Sequence, residues 1–491
     1  ATAASVASRP ATNVGAWTLR TAICAAVVAG GLGSCPAQAG RWTIEPQISV
    51  TESFSDNVNQ DSGPDARHDF VSTISPSVNI NGEGRRLSLS FIYSPTYIDY
   101  ARNSGEDEFR HTLQSHGNAE LWEDRFFIDF SAIGRQRNVS SSGSQSVDGV
   151  TVNANRAQSF SFSMSPYLTH HFGPIADAEL RYFVGRSTTE GAAGSTTQRV
   201  TLNVDSGRYF SVFDWSLNAS QRKSTSNADS PNTFKNVSLS LGYPVSRSLR
   251  VSAGAGYEDN SIQSNRGKTS GMTWSIGSNW HPSPRTRLDV SYDKRFFGNA
   301  IIVDGEYRSR RTVVTFGMSR EAQSSEEAAA ELVLIPLEDA FGNPVLDPLG
   351  NPLLLQTTEE TVSRTVVVTQ RTNLGVALQG RRTDYSLNAL RSVRESELGG
   401  SDETVLSMNA IVNRRLSRKT SATVDANWQR SEFGSADNRR TIWSMGLRLS
   451  HQIAPGWSGS VLARRTQTRT VPAGNSEFTE NRVAATVRAS F

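Results

Sequence analysis

The chain has 491 residues, of which 37% are hydrophobic and 20% charged, with a mean hydropathy of −0.41 and a formal net charge of +3. This composition is too polar for a bundle of transmembrane helices, each of which needs about 20 mostly apolar residues. It is also too evenly charged for the low hydrophobicity and high net charge of disordered chains. The near-neutral charge does not indicate a nucleic-acid partner.

The first segment has the layout of a secretory signal peptide. Arg9 and Arg20 supply a basic region, and residues 21–32 form an apolar stretch that is too short to span a bilayer as a helix. A small-x-small cleavage pattern ends at Ala39. A lipoprotein signal ending at Cys35 is the alternative.

Cleavage after Ala39 divides the chain into a signal peptide at 1–39 and one large unit at 40–491. Both cysteines leave with the signal, so we expect no disulfide or thiolate chemistry in the remainder. Two arginines and no acidic residue leave with it, and the formal charge therefore falls from +3 to +1.

A two-residue hydrophobic period dominates the rest of the chain. It is clearest at residues 87–93, 160–164, 199–204, 287–292 and 423–428. Because side chains alternate faces along a strand, each segment presents one apolar and one polar face. The segments are about 10 to 15 residues long, which is long for a soluble sheet and typical of a tilted membrane-spanning strand.

The connections between these segments alternate in length. This asymmetry is typical of an outer-membrane barrel, with tight periplasmic turns and longer external loops. Counting segments predicts an all-β, antiparallel transmembrane barrel of about 22 strands, or roughly 18 to 20 if a hairpin is overcounted between residues 296 and 376. Short turns lie at 82–84, 122–124, 172–174, 207–209 and 455–457, and longer polar loops at 57–68, 138–156 and 225–232.

One long loop, predicted at 322–360, follows a tight hairpin at Ser309. It carries Gly-Asn-Pro twice, at 342–344 and 350–352, with apolar residues beside each turn. An apolar loop needs a surface to cover. It could fold into the lumen as a constriction, dock a partner on the external side, or be an unstructured insertion.

Aromatic residues cluster beside the predicted short turns. Such clusters are expected at the two interfaces of a membrane barrel. The alternative is a soluble sandwich with aromatic core residues, but it does not account for charges on the opposite face of strand after strand. The residues are Trp122, Phe126, Phe172, Tyr209, Tyr243, Trp280 and Trp457.

The C-terminal strand carries the most specific motif. Val483, Ala485, Val487, Ala489 and Phe491 occupy alternate positions and end on an aromatic terminal residue. The motif resembles the terminal signature by which the barrel assembly machinery recognises its clients. It implies this machinery and outer-membrane lipids as partners.

Two N-terminal segments carry a family resemblance. EPQISVTESFSDNV at 45–58 and DFVSTISP at 69–76 are similar to the start of the putative β-barrel porin 2 family. More narrowly, they resemble outer-membrane barrels associated with exosortase (PEP-CTERM) and exopolysaccharide loci. The resemblance implies an outer-membrane protein of a Gram-negative bacterium, linked to surface-polysaccharide export or the associated sorting system. The resemblance does not identify functional residues in this chain, because the family has no defined functional residues.

The polar face is rich in charges of both signs, and arginine outnumbers lysine. Inward arginines could form bidentate contacts with carboxylate or pyruvyl groups of an acidic polysaccharide. Alternatively, inward charges neutralise one another across strands in a wet lumen. The candidates by strand parity are Arg135, Arg137, Arg181, Arg199, Arg222, Arg287, Arg448, Arg464 and Arg488.

No constellation in the sequence indicates catalysis. The carboxylate pair Asp177 and Glu179 shows no acid/base differentiation, and the seven histidines lack metal-ligand spacing. We therefore expect no enzyme activity, metal or cofactor. We also expect no plug domain of the kind found in 22-stranded transporters, because the first strand begins at Trp42.

The predicted function is a pore or scaffold for surface exopolysaccharide export that works with periplasmic export proteins. A general diffusion porin and a sealed structural or adhesive barrel are the alternatives, and a barrel hydrolase is a weaker one.

Overall fold

The computed structural model describes residues 41–138, 151–152, 156–191, 194–226, 231–265, 267–324, 366–399, 402–471 and 477–491. Across these ranges the chain forms one 22-stranded antiparallel sheet. The strands are β1 Arg41–Ser55, β2 Asp69–Glu83, β3 Leu87–Tyr100, β4 Glu108–Trp122, β5 Phe126–Asn138, β6 Arg156–His171, β7 Ala176–Thr189, β8 Ser195–Ser206, β9 Asp214–Ser226, β10 Asn232–Pro244, β11 Leu249–Ser261, β12 Gly271–Ser283, β13 Thr286–Arg295, β14 Gly298–Arg308, β15 Thr312–Ser324, β16 Val366–Gln379, β17 Thr383–Ser396, β18 Glu403–Arg415, β19 Thr420–Phe433, β20 Ser435–Ala454, β21 Trp457–Val471 and β22 Phe478–Ser490.

The sheet closes on itself. Each strand pairs with its neighbours in the chain, and β1 pairs with both β2 and β22. The closing register runs from Gln47 opposite Ser490 to Ser55 opposite Arg482, and the Phe491 N–H donates to the Pro46 carbonyl at 2.9 Å. Closure pairs the first strand with the last and so removes the two free edge strands of the sheet, as a membrane barrel requires. The prediction of a barrel with about 22 strands is confirmed.

The two ends of the barrel differ. The end that holds the start of β1, the end of β22 and ten turns of two to seven residues is called the turn end; the opposite end is the loop end. The tight hairpin at Ser309 lies at the turn end, as do the five predicted short turns. At Pro455-Gly456 two residues suffice because Gly456 adopts φ +76°, which a glycine reaches without steric cost.

Two predicted segments fall wholly or mainly outside the described residues. The signal peptide at 1–39 precedes the first described residue, Arg41. The long loop also lies mostly outside them, although its predicted start needs correction. β15 continues to Ser324 through steady pairing with β16, so residues 322–324 are strand and not loop.

Faces alternate as the two-residue period predicts. In β1, Ser49, Thr51 and Ser53 point inward and are buried, whereas Ile48 and Val50 point outward and are exposed. The outward positions form the apolar belt that contacts lipid in a membrane barrel. Among the described residues, we find no helix with the length and apolarity needed to cross a bilayer.

Candidate functional site: the barrel lumen

The register places all nine predicted arginines on the inward face. Arg199 of β8 lies opposite Arg222 of β9, and Arg464 of β21 lies opposite Arg482 of β22, in the same alternation as the inward serines and threonines. Parity was sufficient to assign these faces because a strand register shifted by one residue would expose every polar side chain to lipid. Contact with a polysaccharide remains a prediction.

Arg181 lies in a network with two carboxylates near the turn end. Its guanidinium donates to Asp129 Oδ2 at 2.5 Å and to Glu179 Oε1 at 2.9 Å, and it stacks over the Tyr167 ring at 3.8 Å. Asn118 also donates to Asp129, at 2.6 Å. Charge-assisted bonds of this kind fix both the position and the orientation of the planar guanidinium.

Two further predicted arginines are paired with carboxylates in the same way. Arg464 donates to Asp425 Oδ2 at 2.7 Å, and Arg287 contacts Asp289 at 2.6 Å and Asp304 at 3.3 Å. At Arg181, Arg287 and Arg464, therefore, the structure supports the interpretation that inward charges neutralise one another across strands. A ligand with carboxylates has to compete with these partners.

The β15–β16 hairpin bends away from β14 into the lumen, whereas β16 stays paired with β17 up to Val367 opposite Ser396. The pairing of β14 with β15 stops at Val303 opposite Met318, whereas β15 and β16 remain paired to Ser324. The Ala322 carbonyl accepts a hydrogen bond at 3.0 Å from Arg222, whose strand β9 is six strands away along the wall. This contact requires the part of the hairpin near Ala322 to lie inside the barrel.

An apolar cluster holds the hairpin in place. Phe297 and Ala300 pack with Ala322, Val366 and Val368, all less than 9% exposed. The surrounding apolar side chains are Phe234, Ile262 and Phe296. Parity alone would direct Val366 and Val368 toward lipid; they contact the inner wall instead, because the hairpin bends inward.

Arg320 bridges the gap that this bend opens between β14 and β15. Its guanidinium donates to the Asn299 carbonyl at 2.8 Å and to Glu395 Oε2 at 3.2 Å, and lies 5.5 Å from the Phe297 ring centroid. Ser264, in the connection between β11 and β12, donates to Glu397, which follows β17, at 2.5 Å. Polar contacts thus connect β15 to β14 and to β17, and the end of β17 to the β11–β12 connection.

A second inward element fills the loop end near β1. Val58, from the β1–β2 loop, packs on Val71, Ile98 and Tyr100, each 1% exposed. The Val152 N–H donates to the Val58 carbonyl at 3.0 Å. Two described elements therefore narrow the lumen at the loop end. The apolar loop predicted at 322–360 raised a constriction as one alternative, but no local signal marked Val58 of the β1–β2 loop.

Histidine and carboxylate side chains contact each other at two places among the described residues. The described residues contain no group of three or more His, Cys, Asp or Glu side chains arranged to hold a metal. The histidine–carboxylate contacts are His171 with Asp177 at 2.6 Å and His281 with Asp289 at 3.4 Å, and in both the histidine is more than half exposed. The inward face of the described strands is polar, and several of its charges are paired.

Comparison with known proteins supports this assignment of fold. Residues 35–176 match the family model described as putative beta-barrel porin 2, which confirms the resemblance found in the N-terminal segments. Comparison with curated proteins yields no match.

Solved structures with a similar fold are outer-membrane barrels. The chain is similar to the FrpB iron transporter from Neisseria meningitidis, with a TM-score of 0.51 and 9% identity over 91% of this chain and 82% of that chain. It is also similar to the siderophore receptor PirA from Acinetobacter baumannii, with a TM-score of 0.50 and 9% identity over 91% and 80% of the two chains. At such identities the likeness shows the fold alone.

Proposed function

We propose that this protein is an outer-membrane β-barrel of a Gram-negative bacterium that serves as a pore or scaffold in surface exopolysaccharide export, without catalysis. The supporting observation is a closed 22-stranded wall with a polar inward face, narrowed at the loop end by the β15–β16 hairpin and the β1–β2 loop. Periplasmic export proteins would supply the polymer and the energy.

The chemistry of the inward face suits a hydrated polymer. Serine, threonine and asparagine side chains exchange hydrogen bonds with sugar hydroxyls, and arginines such as Arg181 and Arg464 offer two parallel donors to a carboxylate. Those arginines already hold protein carboxylates, so a polymer would exchange contacts instead of binding tightly. Weak, exchangeable contacts favour passage over retention.

The narrowing at the loop end weighs against a wide diffusion porin. Barrels of 22 strands enclose a lumen large enough to hold a plug. Here Ala322, Val366 and Val368 occupy part of that space in a packed cluster. A sealed structural barrel would have the same wall and differs from the proposed pore only in that its narrowed lumen conducts no ions.

Single-channel recording of the refolded protein in a planar bilayer tests the proposal. We expect a steady conductance that an acidic polysaccharide such as alginate reduces more than a neutral dextran of matched length. Conductance blocked equally by both polymers would favour a diffusion porin. Absence of conductance in a preparation that shows heat-modifiable electrophoretic mobility would favour a sealed barrel.

A further inference from the structure

The ten turns at the turn end carry a concentration of basic residues. They contain twelve Arg or Lys side chains and only two carboxylates, Glu123 and Asp124, although the whole chain has a formal charge of only +3. All twelve are exposed. They are Arg85, Arg86, Arg125, Arg208, Arg247, Arg285, Arg310, Arg311, Arg381, Arg382, Arg418 and Lys419. We call this set the basic rim.

The basic rim surrounds the barrel. Eight of the ten turns contribute, and only the β6–β7 and β20–β21 turns do not. Adjacent basic pairs occupy four turns, at 85–86, 310–311, 381–382 and 418–419. A macromolecule that docks at one side of the barrel would need charge on that side only. A ring of charge instead matches a surface that encircles the barrel, and the membrane is such a surface.

The position of the basic rim along the barrel axis also matches a membrane surface. Exposed aromatic side chains lie at the strand ends next to these turns, including Trp122 at 58%, Tyr243 at 54% and Trp457 at 48%. Tryptophan and tyrosine mark the headgroup level of a bilayer. The Arg125 guanidinium lies 5.0 Å from the Trp122 ring centroid, on the lipid-facing side of the wall. The rim therefore begins where the apolar belt ends.

Few acidic residues neutralise the rim. Within the described chain, Arg85 and Arg86 share Glu123 at 3.5 and 3.3 Å, and the other rim residues form no ion pair with a carboxylate. Arginine pairs bidentately with phosphate and is weakly hydrated, so it binds phosphodiester headgroups well. We infer that the basic rim binds the phosphates of anionic phospholipids in the periplasmic leaflet and so fixes the height of the barrel in the membrane.

Refolding into vesicles of phosphatidylcholine, with or without phosphatidylglycerol, tests this inference. Native mass spectrometry after detergent extraction counts retained lipids, and urea titration gives the unfolding midpoint. The wild type should retain phosphatidylglycerol preferentially and unfold at higher urea when it is present. Since each basic residue near an anionic surface strengthens attraction by about fivefold, the double variant Arg381→Gln/Arg382→Gln should lower retention by about 25-fold.

A matched control separates the rim from general charge effects. Arg67 and Lys268 are exposed basic residues in loop-end connections, so Arg67→Gln/Lys268→Gln makes the same change in net charge at the opposite end. This control should retain phosphatidylglycerol like the wild type. Equal losses in both variants, or equal retention of the two lipids by the wild type, would overturn the inference.

The remaining outcome concerns a different ligand. In one outcome, dextran sulfate binds to the protein in a detergent that removes retained phosphatidylglycerol, and this lipid has no effect on the urea unfolding midpoint. That outcome would identify an acidic polymer, and not the membrane, as the partner of the basic rim. The inference requires only a membrane-spanning barrel in this orientation. It therefore stands or falls independently of the export role and of any conductance.

Discussion

Arg320 offers a direct test of whether the β15–β16 hairpin constricts the lumen. Its guanidinium holds the Asn299 carbonyl of β14 and the Glu395 carboxylate of β17, across a gap where β14 and β15 are not paired. Replacement by alanine removes both bonds and the contact with the Phe297 ring. The apolar cluster around Val368, the Arg222–Ala322 hydrogen bond and the pairing of β16 with β17 then still hold the hairpin.

The size of the effect follows from these contacts. A hydrogen bond to a charged group contributes about 1.5–3 kcal/mol, and an exposed cation–π contact about 0.5–1 kcal/mol. The side chains of Arg320 and Glu395 are 19% and 28% exposed, so water screens part of the attraction. We expect Arg320→Ala to weaken docking of the hairpin by about 3 kcal/mol, or roughly 100-fold in the ratio of docked to undocked states.

Single-channel recording reports this ratio as the time spent in the high-conductance state divided by the time spent in the low-conductance state. Arg320→Ala should raise that quotient by roughly two orders of magnitude, and Arg320→Lys should be intermediate because lysine keeps the charge without the planar fork. Arg469→Ala, at an exposed outward position of β21, serves as the control. An unchanged distribution of openings in folded Arg320→Ala protein would show that the hairpin does not limit conductance.

Three further variants test the wall and its closure. Asp425→Asn should destabilise the barrel in urea titration by about 1–3 kcal/mol, because Arg464, 9% exposed, loses its carboxylate; equal unfolding midpoints would contradict this pairing. Gly456→Ala should cost more than Gly173→Ala, since both glycines have positive φ but only a Cβ at Gly456 would meet backbone, 2.7 Å from a carbonyl oxygen. Deletion of Phe491 should lower outer-membrane levels measured by immunoblot of membrane fractions, and normal levels would remove its role as an assembly signal.

The wall could be predicted from the sequence because its rule is local. The two-residue period indicates which face of the sheet each side chain occupies, and strands that are consecutive in the sequence pair with each other. Parity therefore placed residues as distant as Arg135 and Arg488 on one inward face without any knowledge of their partners. The same rule placed Val483 and Val487 on the lipid-facing side of β22, where they are 53% and 47% exposed.

The apolar loop at 322–360 raised a constriction as one alternative, but the position and the contacts of the bend could not be predicted because those contacts are not local. Alternation continues without interruption through β15, and nothing in the local pattern marks the point at which β15 leaves β14. The residues that hold the bend are far apart in the chain: Arg320 and Glu395 are separated by 75 residues, and Arg222 and Ala322 by 100. Val368 is an example: an apolar side chain can contact either lipid or the apolar inner wall, so its residue type does not indicate which of the two it contacts.

The basic rim is a different case. Pairs such as Arg85-Arg86 and Arg381-Arg382 are visible in the sequence, but each alone is an ordinary solvated turn. Their significance depends on the register of the whole barrel, which brings the turns that contain them to one end. The net charge of the whole chain does not indicate the rim, because acidic residues elsewhere in the chain offset the positive charge of the turns.

The pairing of lumenal arginines leads to a last prediction about the proposed substrate. Arg181 already donates to Asp129 and Glu179, so a polymer carboxylate gains only the difference between its own contact and the one it displaces. Asp129→Asn removes one competitor and leaves the guanidinium in place. Block of conductance by alginate should then strengthen, by about tenfold if the change is worth about 1.4 kcal/mol. Block by neutral dextran should be unchanged, as should block by either polymer in Asp259→Asn, whose carboxylate lies on the outward face. If alginate blocked Asp129→Asn no better than wild type, Arg181 would be a structural residue of the wall and not a contact for the polymer.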